Sequence, residues 1–229
     1  LCEDFQRALE DEQDKVSQEE YEEKLFIWKG IINRSLAKYE PAIDAFERAY
    51  QTCVDKYGEV HINTAHALKH IGTIYNERRD YDKAEEYYIK ALGIQEKLDA
   101  TKERIDTIHS IADNCLDKRD LDMAEKYLFE ALNLAKNYVG DDNDTISSIY
   151  NSIGALYDFK GDYEKSLKYA KFSVDMDKRL YGKYNINTAH SLHNIAGTYH
   201  AMNRIDDAES AYKEAIDIKS KIIGAANYE

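Results

Sequence analysis

HINTAHALKHIGTIY (residues 61–75) and NINTAHSLHNIAGTY (residues 185–199) share eight identical residues in register, 124 positions apart. Such self-similarity is the mark of a repeat architecture and takes precedence over any other fold signal. Aligning one small residue of each unit, which follows an isoleucine in all but the first, exposes the period. Gly30, Gly72, Ala112, Gly154 and Ala196 are spaced by 42, 40, 42 and 42 residues. Twelve residues after each lies a second small residue: Ala42, Ala84, Ala124, Ser166 and Ala208. Seven further on lies a third: Ala49, Ala91, Ala131, Ser173 and Ala215. A fixed grid of Gly, Ala and Ser marks places where backbones approach too closely for larger side chains.

Each unit reads as two helices. In the second unit Leu68, Ile71 and Tyr75 share one face, and Tyr81, Ala84, Tyr88, Ala91 and Leu92 recur at spacings of three and four on the next helix. Asp80, Asp120 and Asp162 stand where an N-cap carboxylate belongs. Gly58, Gly140, Gly182 and Gly224 fall at expected helix ends, where a left-handed C-cap favours glycine. The unit with Asp99-Ala100 at that place is the one shortened to 40 residues. Residues 1–18 read as the second helix of a truncated upstream repeat, Phe5 and Ala8 echoing Phe46 and Ala49. The repeats then run 19–60, 61–101, 102–142, 143–184 and 185–229. Because the chain starts at Leu1 within a helical pattern, it is expected to be an excised fragment.

The turn GDYEK at 161–165, followed by Ser166, resembles that of the tetratricopeptide repeat. The 42-residue period, INTAHSLHNIAGTY and AIDIKSKIIG are similar to the subclass found in kinesin light chains and nephrocystin-like proteins. Asn33 and Cys115 depart from the tyrosine at Tyr75, Tyr157 and Tyr199. Leu121 and Ile205 depart from Tyr39, Tyr81 and Tyr163. The resemblance implies an all-α fold, a right-handed superhelical α-solenoid of antiparallel helix pairs, whose first helices line a concave groove.

Composition narrows function. The 229 residues carry a formal charge of −13, which disfavours nucleic acid and anionic membrane as partners. There is no apolar run long enough for a membrane span and no signal-peptide pattern. Three cysteines without a C-x-x-C pair support neither a disulfide framework nor a zinc ribbon, and fit reduced thiols in a cytoplasmic protein. One proline permits long helices. Most of the 19 tyrosines are expected in the core, as their helical spacing places them inward.

Six of seven histidines lie on first helices. His190 and His193 are one turn apart, but no carboxylate or cysteine joins them at ligand spacing, so no metal or cofactor is expected. Phosphate-cradling glycine loops and nucleophile–base arrangements are absent, so the chain reads as non-catalytic. The candidate groove collects Lys24, Trp28 and Arg34 from the first unit and His66, Lys69, His70 and Asn76 from the second. It takes His109 and Asp113 from the third, Asn151, Ser152 and Asp158 from the fourth, and His190, His193, Asn194 and His200 from the fifth. Amide, hydroxyl and imidazole groups of this kind can hydrogen-bond the main chain of an extended or helical segment. Kinesin light chain resemblance implies cargo-peptide recognition in a basic groove. Here Asp106, Asp113, Asp117 and Asp158 interrupt the basic ends, which argues against a purely acidic ligand. With histidine titrating near pH 6.5, affinity is expected to vary between about pH 5.5 and 7.5. The leading expectation is therefore a protein- or peptide-binding adaptor. A regulatory repeat domain of a larger signalling protein is the second, and a fixed structural part of an assembly the third.

Overall fold

The computed structural model describes residues 18–140 and 143–226. Of the stretch 1–18 expected to be a truncated upstream helix, residues 1–17 lie outside them, and Gln18 opens the first described helix. Ten α-helices follow one another, and no strand occurs among the described residues. They are α1 (Gln18–Ser35), α2 (Tyr39–Tyr57), α3 (Ile62–Glu77), α4 (Tyr81–Lys97), α5 (Thr101–Lys118), α6 (Leu121–Val139), α7 (Asp144–Phe159), α8 (Tyr163–Tyr181), α9 (Ile186–Ala201) and α10 (Ile205–Ala226). The chain is an all-α helical repeat solenoid, divided into two compact units, Leu1–Lys118 and Arg119–Glu229.

In the first unit α1 to α5 pack consecutively, and α3 also touches α5, so alternate helices stack side by side. The second unit repeats the arrangement from α6 to α10, with α7 against α9. The small-residue grid sits at the crossings. A Cβ added to Gly30 would fall 2.5 Å from the ring of Phe46, and one at Gly72 would fall 2.8 Å from the Tyr88 ring. Ala42, Ala49, Ala84, Ala91, Ala124 and Ala131 are wholly buried. Isoleucines fill the remaining core space, among them Ile71, Ile74, Ile105, Ile108, Ile111, Ile149 and Ile153.

The opening stretches are capped helix starts. Asn143 and Asn185 accept through their Oδ1 atoms from the Thr145 and Asn187 amides, at 2.8 and 2.7 Å. His61 does the same through Nδ1 from the Asn63 amide, at 3.2 Å. An orphan amide of the first turn is thereby satisfied. Asp120 and Asp162 cap Met123 and Lys165 as expected. Asp80 holds the N-cap position without that hydrogen bond, and its carboxylate pairs with Lys83 at 3.3 Å instead.

Helix ends differ from the glycine reading in an instructive way. The left-handed cap closes the turn after each first helix, at Ala37, Arg79, Arg119, Gly161 and Asn203, which keep the 42, 40, 42, 42 spacing. At Ala37, Arg79, Gly161 and Asn203 paired bonds complete a Schellman motif: in one, Arg79 N–H reaches Asn76 O and Asp80 N–H reaches Tyr75 O. Gly58, Gly140 and Gly182 combine φ near +80° with ψ near 180°, a region that essentially only glycine occupies. In the shortened unit Asp99 (φ 51) makes a tighter left-handed turn in place of that glycine loop. Gly224 corrects the pattern, because it lies inside α10 and caps nothing.

Candidate functional site

First helices carry the candidate polar face, and each unit presents its own. In the first unit α1, α3 and α5 supply it. Trp28 is exposed, and Lys24 is half-buried. Arg34 donates to Glu77 Oε1 through both Nε and Nη2, at 2.8 and 2.7 Å, and ties α1 to α3. Asn76 Nδ2 donates to Asn114 Oδ1 and Asp117 Oδ2, each at 3.1 Å, tying α3 to α5. Buried Asn114 passes its own amide to Tyr81 O at 3.0 Å. These polar side chains are therefore engaged in holding neighbouring helices as well as facing outward. His109 lies 3.7 Å from Asp113, one turn along α5.

Burial has changed the chemistry of α3. The His70 ring stacks on Phe46 with centroids 4.8 Å apart. Desolvation first, and the charges of Lys69, His66 and Arg34 second, push its pKa down to about 4. Burial also lowers His66 and Lys69. The expectation that these histidines respond near pH 6.5 fails at His70, which stays neutral through that range. The first cause, burial, comes from packing that spacing along α3 does not reveal, whereas Lys69 and His66 are its neighbours on α3 itself.

The second unit has a different character. Asn194 Nδ2 on α9 donates to Asn151 Oδ1 on α7 at 3.0 Å. Beneath this amide pair lies a cavity of about 240 Å3. Asn151, Asp158 and Phe159 of α7 and His193, Asn194 and Thr198 of α9 form its walls. Gly154, Ala155, Gly197, Ser166 and Ala170 leave the room, the last two from α8. Spacings of i, i+3, i+4 and i+7 along α7 put Asn151, Gly154, Ala155 and Asp158 on one face. His193 meets Tyr212 edge-on, centroids 5.2 Å apart, which fixes its ring at the rim. The Arg119 guanidinium lies 3.6 Å above the Phe159 ring and steadies the opposite wall.

One carboxylate oxygen in this cavity, Asp158 Oδ1, is shielded from solvent and has no hydrogen-bond partner. Of the candidate positions in this unit, Asn151, Asp158, His193 and Asn194 line the cavity. Ser152, His190 and His200 lie beside it on the same helices and do not. Gly197 and Thr198 went unread as site residues, although a signal existed. The residue after each small grid position is Ile31, Thr73, Asp113, Ala155 and Gly197 in turn. Only the last two units leave that position nearly empty, and there the cavity opens.

Among the described residues no three or more His, Cys, Asp or Glu gather as a metal site would require. Buried Ser147, Ser173, Ser191 and Asp177 form a separate hydroxyl chain inside the second unit. Ser147 Oγ donates to Asp177 Oδ1 at 2.6 Å, and burial pushes the Asp177 carboxyl up. No helix of the described residues is long and apolar enough to cross a membrane.

The tetratricopeptide repeat family matches residues 22–97, 103–179 and 145–221. A clustered mitochondria protein homolog from Culex quinquefasciatus is 24% identical over 198 residues, 82% of this chain and 14% of that protein. A Rap protein complexed with competence and sporulation factor superposes with a TM-score of 0.79 at 20% identity, over 94% of this chain and 58% of its own. The Rap conjugation gene regulator of plasmid pLS20, in complex with the Phr* peptide, gives 0.77 at 20% identity over 92% and 57%. A kinesin light chain protein of Podosopora anserina with nearly identical repeats gives 0.67 at 13% identity over 88% and 94%. This chain thus spans about one-seventh of the curated relative and under three-fifths of either Rap protein.

Proposed function

Because the chain belongs to the tetratricopeptide repeat family, we propose that it is a non-catalytic scaffold that binds a protein or peptide segment along its first-helix faces. The observation that carries this is the second-unit face. There a side-chain amide pair spans α7 and α9 above a cavity that the fold leaves unfilled. Peptide main chain offers alternating donors and acceptors, which such amides match on either side. That two Rap proteins with this fold are seen in complex with competence and sporulation factor and with the Phr* peptide supports the same reading. The repeats are taken to run 19–60, 61–101, 102–142, 143–184 and 185–229, and each unit is taken to offer the candidate positions on its own first helices. The adaptor or cargo role and a cytoplasmic location belong to this proposal.

A regulatory domain is the second reading. It is favoured by likeness to the pLS20 gene regulator, of which this chain spans 57%. The experiment is selection of binding peptides from a random display library on the 229-residue chain. Affinity is then compared with the variant carrying His190→Ala, His193→Ala and Asn194→Ala together. At least about tenfold weaker binding, roughly 1.4 kcal/mol, is expected, with unchanged helical circular dichroism. Undiminished binding places the ligand on another face.

A further inference from the structure

We infer that the cavity between α7, α8 and α9 receives one cationic side chain, lysine or arginine, of the bound segment. This inference rests on the peptide-binding reading of the same face. Size comes first. At about 240 Å3 the cavity is below the range for drug-sized ligands, and suits one long side chain. Charge comes second. A carboxylate is acceptor-only when ionised, and a buried acceptor left unpaired is destabilising, more so when charged. Asp158 Oδ1 is in that condition, with no partner in the folded chain. Asp158 is also the one carboxylate among the residues lining the cavity, so an ammonium or guanidinium seated there pairs with that side chain by a charge-assisted bond, about twice as strong as a neutral one.

Gly197 supplies a third, independent observation. Glycine inside a helix is unfavourable relative to alanine. At Gly30 and Gly72 an aromatic ring stands where the Cβ would be, so packing explains the glycine. At Gly197 nothing lies within 4 Å of that position. The earlier copy of the same motif carries Thr73 there, whose Oγ1 lies 3.4 Å from the Tyr88 hydroxyl. Gly197 and Asp158 line the same cavity, and the absent side chain leaves it open. The aliphatic stem of a lysine or arginine would run past Ala155, Ala170 and Phe159, which give the cavity its apolar lining.

The test uses positional-scanning peptide libraries, random dodecamers with one position fixed in turn as Arg, Lys, norleucine, Gln or Glu. Binding is measured on the 229-residue chain and on Asp158→Asn, which keeps shape and removes charge. At one position, fixed Arg or Lys should bind at least tenfold tighter than norleucine or Glu, and Asp158→Asn should abolish that preference. Gly197→Leu, which fills the cavity from a helix that loses no contact, should abolish it as well. Peptides that bind without a cationic preference overturn the inference alone, as does a preference that survives Asp158→Asn. A preference for norleucine or Gln lost in Gly197→Leu identifies a neutral anchor and overturns it too. If no library binds at all, the peptide-binding reading falls and this inference with it.

Discussion

Replacing single glycines by alanine should raise or lower stability according to what each backbone faces, and the sign can be worked out residue by residue. Any helix-interior Gly→Ala change gains about 1 kcal/mol of intrinsic propensity. Against that stands the space the new methyl must take. At Gly30 three atoms of the Phe46 ring lie 2.5–2.7 Å from the Cβ position. Phe46 is wholly buried and stacked on His70, so its ring has nowhere to swing. Overpacking of this kind costs about 1–3 kcal/mol, leaving Gly30→Ala destabilised by up to about 2 kcal/mol. Gly72→Ala faces the Tyr88 ring at 2.8 Å and the Ala84 carbonyl at 3.2 Å and should behave alike. Gly93, in the same unit, has nothing within 4 Å, so Gly93→Ala should be more stable by about 1 kcal/mol. Urea unfolding of the variants, followed by circular dichroism, reads the difference, and in thermal melts 1 kcal/mol corresponds to about 2–4 °C at this chain length. If Gly30→Ala is stabilised as much as Gly93→Ala, the grid does not mark helix crossings, and the packing account is wrong.

Ala84→Leu should cost about 1–3 kcal/mol by the same crowding, while Glu86→Leu on the exposed face should stay within about 0.5 kcal/mol, both read from urea midpoints. The buried Asp177 carboxyl prefers its proton in the folded state, so folding binds a proton more tightly than the unfolded chain does. Stability therefore falls as pH rises above the ordinary value of 3.8 toward the raised one. Asp177→Asn should be the more stable protein at pH 7, with the gap closing as pH approaches 3.8; a gap that widens on acidification contradicts the assignment. Burial, with Glu23 beside it, pushes the Cys53 thiol up to about 12, so mass spectrometry should find Cys53 unlabelled by a disulfide reagent at pH 8 in the native chain and labelled in urea.

The period, the helix pairs and the crossings were legible because packing at short range demands one residue class at a fixed place. Gly30 and Gly72 could be read that way since a ring lies against each. Glycine is ambiguous elsewhere: Gly224 continues a helix, and Gly197 leaves a space, yet sequence shows the same letter at both. Asn151, Asp158, His193 and Asn194 could be gathered by helical arithmetic, and the structure brings them around one cavity. Of its smaller lining residues, Ser166 was legible only as a crossing position, and Ala170 was not singled out. The loss of proton affinity at His70 comes first from burial, to which packing from other helices such as the stacked Phe46 on α2 belongs; only its smaller part, the charges of Lys69 and His66, lies in the pattern along α3.

Hydrogen–deuterium exchange on the chain with and without a saturating selected peptide tests the central claim most directly, because it reports where the ligand sits without altering a residue. Binding should slow amide exchange along α7 and α9, in the peptides containing Asn151 and Gly197. The outward segments of α8 and α10 around Phe172 and Ile216 should be unchanged. Protection confined to those outward segments, with α7 and α9 unaffected, would contradict a ligand held on the first-helix face.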